Sequence, residues 1–197
     1  MNFDEKCQIV LVGDSTVGKT SLLLKYTNGA YSEDNLATIG LDFITKDEII
    51  NEKTIRVKIW DTAGQERYKS LTQGFFRLAN GAIIVFDVSN NDSFVNLKYW
   101  VSALRNFFNL NQTVFNVIIV GNKIDKEREV SQEDANNFAK ENGITYFEVS
   151  AKTGEGVKES FIYLVNKCVQ SKEEKGEEMY NRKIDIKEEK EKKKCSC

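Results

Sequence analysis

An apolar run, Gln8–Val12, gives way to Gly13-Asp14-Ser15-Thr16-Val17-Gly18-Lys19-Thr20 and then to the helical Ser21-Leu22-Leu23-Leu24-Lys25. Strand, glycine-bearing loop and helix in that order fit the G-x-x-x-x-G-K-[ST] pattern in the context it requires. Phosphate oxygens need several donors converging on a small volume. Glycines let the backbone wrap closely enough for consecutive N–H groups to supply them at a helix N-terminus. Ser15, Thr16, Val17, Gly18, Lys19, Thr20 and Ser21 are therefore the candidate phosphate-binding residues. Lys19 adds a point charge at the β and γ phosphates, and the Thr20 hydroxyl is placed to ligate Mg2+. This segment predicts a nucleoside triphosphate site.

The rest of the chain supplies a matching frame. Gln8–Val12, Ala82–Val88, Val117–Val120 and Thr145–Val149 read as buried strands, while Thr54–Asp61 alternates apolar and polar positions. Phe43–Ile50 pairs with it as a hairpin through Asn51-Glu52-Lys53. Phe94, Leu97, Val101, Leu104 and Phe108 share one helical stripe, and Val157, Phe161, Leu164, Val165 and Cys168 another, both read as core packing. Ser131 with Asp134 opens a further helix that Gly143 closes. The expected fold is α/β, a P-loop NTPase with a mostly parallel six-stranded, doubly wound sheet flanked by helices, with one antiparallel edge strand. Its ligand belongs at the carboxyl ends of the strands.

Composition removes competing chemistries. With no His there is no Ser-His-Asp triad, no His base and no His-bearing zinc site. A net charge of -2 supplies no basic field for nucleic acid. Cys7 and Cys168 sit among apolar residues, which predicts core thiols in a reducing cytosol rather than a disulfide framework. Met1–Lys6 is polar and leads straight into a strand, so no signal peptide is expected. Residues 171–197 are dominated by Lys and Glu, which predicts one globular unit over 1–170 and a charged, disordered or marginally helical tail over 171–197.

Three further elements fall at strand ends. In Asn122-Lys123-Ile124-Asp125, the Asp125 carboxylate is suited to accept from the N1–H and exocyclic amine of guanine, a donor pair that adenine lacks. Ser150-Ala151-Lys152 arrives at the same rim, where the Ala151 N–H can hold the guanine O6 and Lys152 can lie over the ring. In Asp61-Thr62-Ala63-Gly64-Gln65-Glu66, Asp61 reaches Mg2+ through water, the Gly64 N–H meets the γ-phosphate and Gln65 orients the attacking water. Thr38, in the loop after the first helix, offers a hydroxyl to the metal and an N–H to the γ-phosphate, which would order that loop only in the triphosphate state.

Together these motifs, spread over residues 7–165, resemble the small GTPases and within them the Rab family. The narrower resemblance rests on Ile39-Gly40-Leu41-Asp42-Phe43, on Lys58-Ile59-Trp60-Asp61-Thr62-Ala63-Gly64-Gln65-Glu66-Arg67-Tyr68, and on the terminal Cys195-Ser196-Cys197. It implies a monomeric GTP/GDP switch of vesicle traffic on the cytoplasmic face of an endomembrane, cycling with the cytosol. Partners so implied are an exchange factor, a GTPase-activating protein, a GDP-dissociation inhibitor, a prenylation escort with its transferase, and effectors. Tyr31 matches the family's aromatic against the guanine, and Ile39, Phe43, Trp60 and Phe75 match its effector face; core burial is the alternative for the last three. Cys195 and Cys197 match the C-x-C ending that carries two geranylgeranyl groups, and two chains give stable anchoring where one does not.

Some positions depart from the family pattern. Leu41 and Tyr68 replace the usual Val and Phe, and Leu78 stands where the family has Gly, which stiffens the second switch segment. Two other classes compete with a switch. A P-loop kinase or ATPase needs an acceptor site and lid, for which the chain between Lys19 and Asp61 leaves only a short loop and hairpin. A non-hydrolysing scaffold would not need Thr20, Thr38, Asp61 and Gln65 together.

Overall fold

A computed structural model describes residues 3–29, 42–61, 79–111 and 116–174. Strand β1 (Glu5–Val12) leads into helix α1 (Lys19–Asn28), then β2 (Asp42–Ile50), β3 (Lys53–Asp61) and β4 (Gly81–Asp87). Helices α2 (Asn91–Val95) and α3 (Leu97–Asn111) precede β5 (Asn116–Asn122), α4 (Gln132–Glu141) and β6 (Thr145–Glu148), and α5 occupies 157–174.

The six strands lie in the order β2-β3-β1-β4-β5-β6, and only β2 runs antiparallel. β1 occupies the interior because apolar residues cover both its faces. Ile9 and Leu11 join a core layer with α1 and α5, while Val10 and Val12 join the opposite layer with α3 and α4. All seven residues of β4 are buried, the pattern of a parallel strand roofed on both sides. Cys7 and Cys168 lie inside the first layer as free thiols.

Two expectations shift in detail. Asn51 and Glu52 both adopt left-handed backbone, φ 49° and 65°, the signature of a two-residue hairpin turn matched to strand twist. Lys53 therefore belongs to the strand, paired with Ile50. The stripe drawn from Phe94 to Phe108 spans two helices rather than one. Asn90 caps α2 by accepting from the Ser93 N–H, and Asn96 separates α2 from α3. Helical bonding still crosses the junction, with the Asn96 N–H donating to Asp92 O at 3.0 Å and the Trp100 N–H to Asn96 O at 3.3 Å, so the apolar face stays aligned. The Phe108 side chain lies outside the described residues.

The stripe of α5 behaves as expected, with Val157, Phe161, Leu164, Val165 and Cys168 all buried. The helix continues through residue 174, past the expected start of the tail at 171. Its last turn finds polar partners: Asn116 for Ser171, the Lys6 carbonyl for Lys172 and Lys53 for Glu173. The carboxyl ends of β1, β3, β4, β5 and β6 share one edge of the sheet, and the loops that follow β1, β3, β4, β5 and β6 leave from that edge.

Candidate functional site

The loop after β1 is built so that its backbone lies against the sheet edge. A Cβ on Gly13, at φ 138°, would stand 2.1 Å from the Val85 carbonyl oxygen of β4. A Cβ on Gly18, at φ 94°, would stand 2.4 Å from Asn122 Nδ2. Neither position has room for any other residue.

Three side chains from two segments then fix the loop's carbonyls. Lys19 Nζ donates to Gly13 O at 2.7 Å and to Asp14 O at 2.5 Å. Lys123 Nζ donates to Thr16 O at 2.8 Å, and Asn122 Nδ2 to Val17 O at 2.9 Å. In a planar trans peptide the next N–H points opposite to the carbonyl. Holding Thr16 O and Val17 O therefore turns the amides of Val17 and Gly18 away from Lys123 and Asn122. α1 begins there, its cap residue Gly18 making no side-chain capping bond, with Ser21 half-buried in its first turn. Amides turned inward at a helix N-terminus form an anion cradle.

At the neighbouring strand end, Thr20 Oγ1 donates to Asp61 Oδ2 at 2.5 Å, and Asp61 is buried. A hydroxyl and a carboxylate so placed are the oxygen donors that a hard divalent cation prefers.

On the far side of the loop, Asn122 is buried and uses both ends of its amide. While Nδ2 holds Val17, its Oδ1 accepts from the Ala151 N–H at 3.1 Å, which ties the phosphate loop to the Ser150-Ala151-Lys152 turn. Asp125 is exposed on the rim and accepts from Ser150 Oγ at 2.6 Å; the same Ser150 oxygen accepts from the Thr153 N–H at 3.0 Å. Lys152 is exposed beside them. The arrangement presents a carboxylate whose position is set by a buried hydroxyl.

Two carboxylates that no motif flagged complete the scaffold. Asp87, at the end of β4, pairs with Lys123 at 2.6 Å and accepts from the Ser89 N–H and hydroxyl. Burial alone would raise its pKa, but the Lys123 and Ser89 hydrogen bonds outweigh that and hold the carboxyl below its ordinary value. Asp14, inside the phosphate loop, is bound by Asn96 and Trp100 of the α2–α3 region. The only sequence signal for either was an acid at a strand end or in a free position of the loop motif.

Phe43 is 47% exposed, which removes it from the core, and Trp60 is half-buried. Their ring centroids are 5.0 Å apart, and Lys58 Nζ stands 3.7 Å and 3.9 Å from the two rings. Tyr31, Thr38, Ile39, Leu41, Gly64, Gln65, Tyr68, Phe75, Leu78, Cys195 and Cys197 lie outside the described residues.

Comparison with known proteins agrees with this geometry. The Ras family model matches residues 8–170. The chain is 41% identical to Ras-related protein Rab-18-B of Danio rerio over 83% of its own length and 80% of the relative's. It is 40% identical to Ras-related protein Rab-2B of Dictyostelium discoideum, covering 81% and 79% of the two chains. Against Ras-related protein RABA6b of Arabidopsis thaliana the identity is 37%, over 84% and 74%. A cradle of main-chain amides beside a rim carboxylate, on a chain matched by the Ras model over nearly all of its described length, makes this protein a member of the Ras family and, within it, a Rab-type small GTPase, a GTP-hydrolysing switch of vesicle traffic.

Proposed function

We propose that Ser15–Ser21 hold the phosphates, that Asn122, Lys123, Asp125, Ser150, Ala151 and Lys152 hold the guanine, and that Gln65 is the catalytic residue. The observation that carries this reading is the capture of four loop carbonyls by Lys19, Asn122 and Lys123. Two of those side chains come from the base-reading segment, so phosphate grip and base recognition share one rigid frame. Asp125 accepts from the base, the Ala151 N–H donates to it, and Lys152 and Tyr31 flank the ring.

Thr20, Thr38 and, through water, Asp61 would hold Mg2+; the hydrogen bond from Thr20 to the buried Asp61 supports the first and third. Held there, the ion would supply neutralisation of the charge that develops on the phosphates. Gln65 orients the attacking water; a carboxamide is a poor base, so its contribution is positioning and charge stabilisation. The Gly64 N–H and Thr38 read the γ-phosphate, so loss of that phosphate releases both segments. The effector face comprises Ile39, Phe43, Trp60 and Phe75, and the exposed Phe43 with its Lys58 roof supports that reading.

Membrane attachment is proposed to run through two lipids on Cys195 and Cys197 at the end of a 171–197 tail, on the cytoplasmic face of an endomembrane. No helix among the described residues is long and apolar enough to cross a bilayer. Regulation follows the Rab pattern, with an exchange factor, a GTPase-activating protein, a dissociation inhibitor, a prenylation escort with its transferase, and effectors. The chain acts as a monomer, without nucleic acid. Single-turnover phosphate release tests the chemistry: Gln65→Leu is expected to slow release while leaving GTP affinity unchanged, and unchanged turnover would remove Gln65 from its role. Imaging a tagged chain beside its Cys195→Ser/Cys197→Ser variant tests anchoring, since identical diffuse distributions would refute it.

A further inference from the structure

A carboxylate is a paradoxical choice inside a loop that grips polyphosphate, because like charges repel. Asp14 occupies such a position, and both of its oxygens are taken by groups outside the loop. Trp100 Nε1 donates to Oδ1 at 2.8 Å, and Asn96 Nδ2 donates to Oδ2 at 2.7 Å. Asn96 and Trp100 are four residues apart across the α2–α3 junction and so present their donors from one helical face. Trp100 is buried in the core layer that also holds Val10 and Val12 of β1, which makes it a rigid anchor. The carbonyl of the same Asp14 is one of the two that accept from Lys19.

The geometry points to Asp14 as a positioning residue for nucleotide retention, pinned to Asn96 and Trp100 so that the first half of the phosphate loop stays aligned with Lys19. The inference rests on the reading that this loop holds the nucleotide phosphates. Hydrogen bonds from two donors to one carboxylate are charge-assisted and stronger than neutral ones. Their loss frees the Asp14 peptide to rotate away from Lys19, and lets a negative side chain swing toward the phosphates. Recognition of the base is not touched, because Asn122, Asp125 and Ala151 are held by other bonds.

The test is release of a fluorescent N-methylanthraniloyl-GDP from the full chain, chased with unlabelled GDP in Mg2+, for wild type, Asp14→Ala, Asp14→Asn, Asn96→Ala, Trp100→Phe and the Asp14→Ala/Trp100→Phe double variant. Trp100→Phe is expected to speed release by about tenfold, the worth of one charged hydrogen bond, and Asp14→Ala, which loses both bonds, by at least as much. The double variant should be no faster than the faster single one, since both remove the same pin. Asp14→Asn should fall between wild type and Asp14→Ala, because its carbonyl still accepts from the indole and the Asn96 amide can flip to accept from its NH2, but without charge assistance. Asn96 is exposed, so Asn96→Ala, also expected to speed release, reports on the pin even if Trp100→Phe disturbs packing. Release from Asp14→Ala at the wild-type rate, or single effects that multiply in the double variant, overturns the inference. Failure of the wild-type chain to bind the labelled GDP overturns the nucleotide reading itself, and the inference with it.

Discussion

The two halves of the sheet are held in different ways. In the β4–β6 half, loops are tied to one another by side chains that are largely buried: Asn122 bridges Val17 and Ala151, Ser150 carries Asp125, and Lys123 joins Asp87 to Thr16. In the β2–β3 hairpin, Glu48 accepts from the buried Tyr26, but most of the ion pairs and ring contacts lie near the surface. Arg56 pairs with Asp47, Lys53 with Glu5 and Glu173, and Lys58 covers Phe43 and Trp60. A site that discriminates a small ligand must be positioned before the ligand arrives, whereas a face read by other proteins must stay exposed. Buried bonds serve the first need and surface contacts the second.

That contrast makes ordered predictions. The largest effect belongs to the rim: Asp125→Ala should remove most of the roughly 10⁴-fold preference for GTP over ATP, since a neutral methyl accepts from neither base. Competition binding measures it, and a surviving preference would place base recognition elsewhere. Next comes Asn122→Ala, which strands the Val17 carbonyl and Ala151 N–H inside the protein. Each buried group left unpaired costs about 1–3 kcal/mol, so urea denaturation should show a loss of roughly 2–6 kcal/mol. On the hairpin, Arg56→Ala should cost under about 1 kcal/mol despite the two-pronged Arg56–Asp47 contact, because both groups are solvent-screened. A hairpin loss as large as that of Asn122→Ala would erase the distinction between the halves.

The smallest effect is a pH dependence. Asp87 is held below its ordinary pKa in the folded protein, where Lys123 and Ser89 outweigh burial, so the unfolded chain binds its proton more readily. Its contribution to stability is therefore complete above the unfolded value of about 4 and is lost as acidity increases below it. Denaturation of wild type and Asp87→Asn should diverge at neutral pH and converge in acid. A gap that persists in acid would assign the effect of the substitution to packing instead.

Much of this was legible in the chain. Periodicity separated the strands roofed on both faces from the alternating β3, and the phosphate-loop spacing located the site, because both follow from local geometry. Asp87 and Asp14 were not legible, since their partners lie 36 residues away at Lys123 and 82 and 86 residues away at Asn96 and Trp100. Only the folded sheet edge brings those groups together. The break at Asn96 was hidden for a related reason: helical bonding crosses it, so the apolar period never falters. The contacts of the last turn of α5 were equally out of reach, because the partners of Ser171, Lys172 and Glu173 come from β5, the start of β1 and the hairpin.

The most direct test is calorimetric titration of the nucleotide-free full chain with GTP and with ATP in Mg2+. The frame of Asn122, Asp125 and Ala151 predicts micromolar or tighter binding of GTP and binding of ATP weaker by roughly 10⁴-fold. Comparable affinities for the two nucleotides would contradict it.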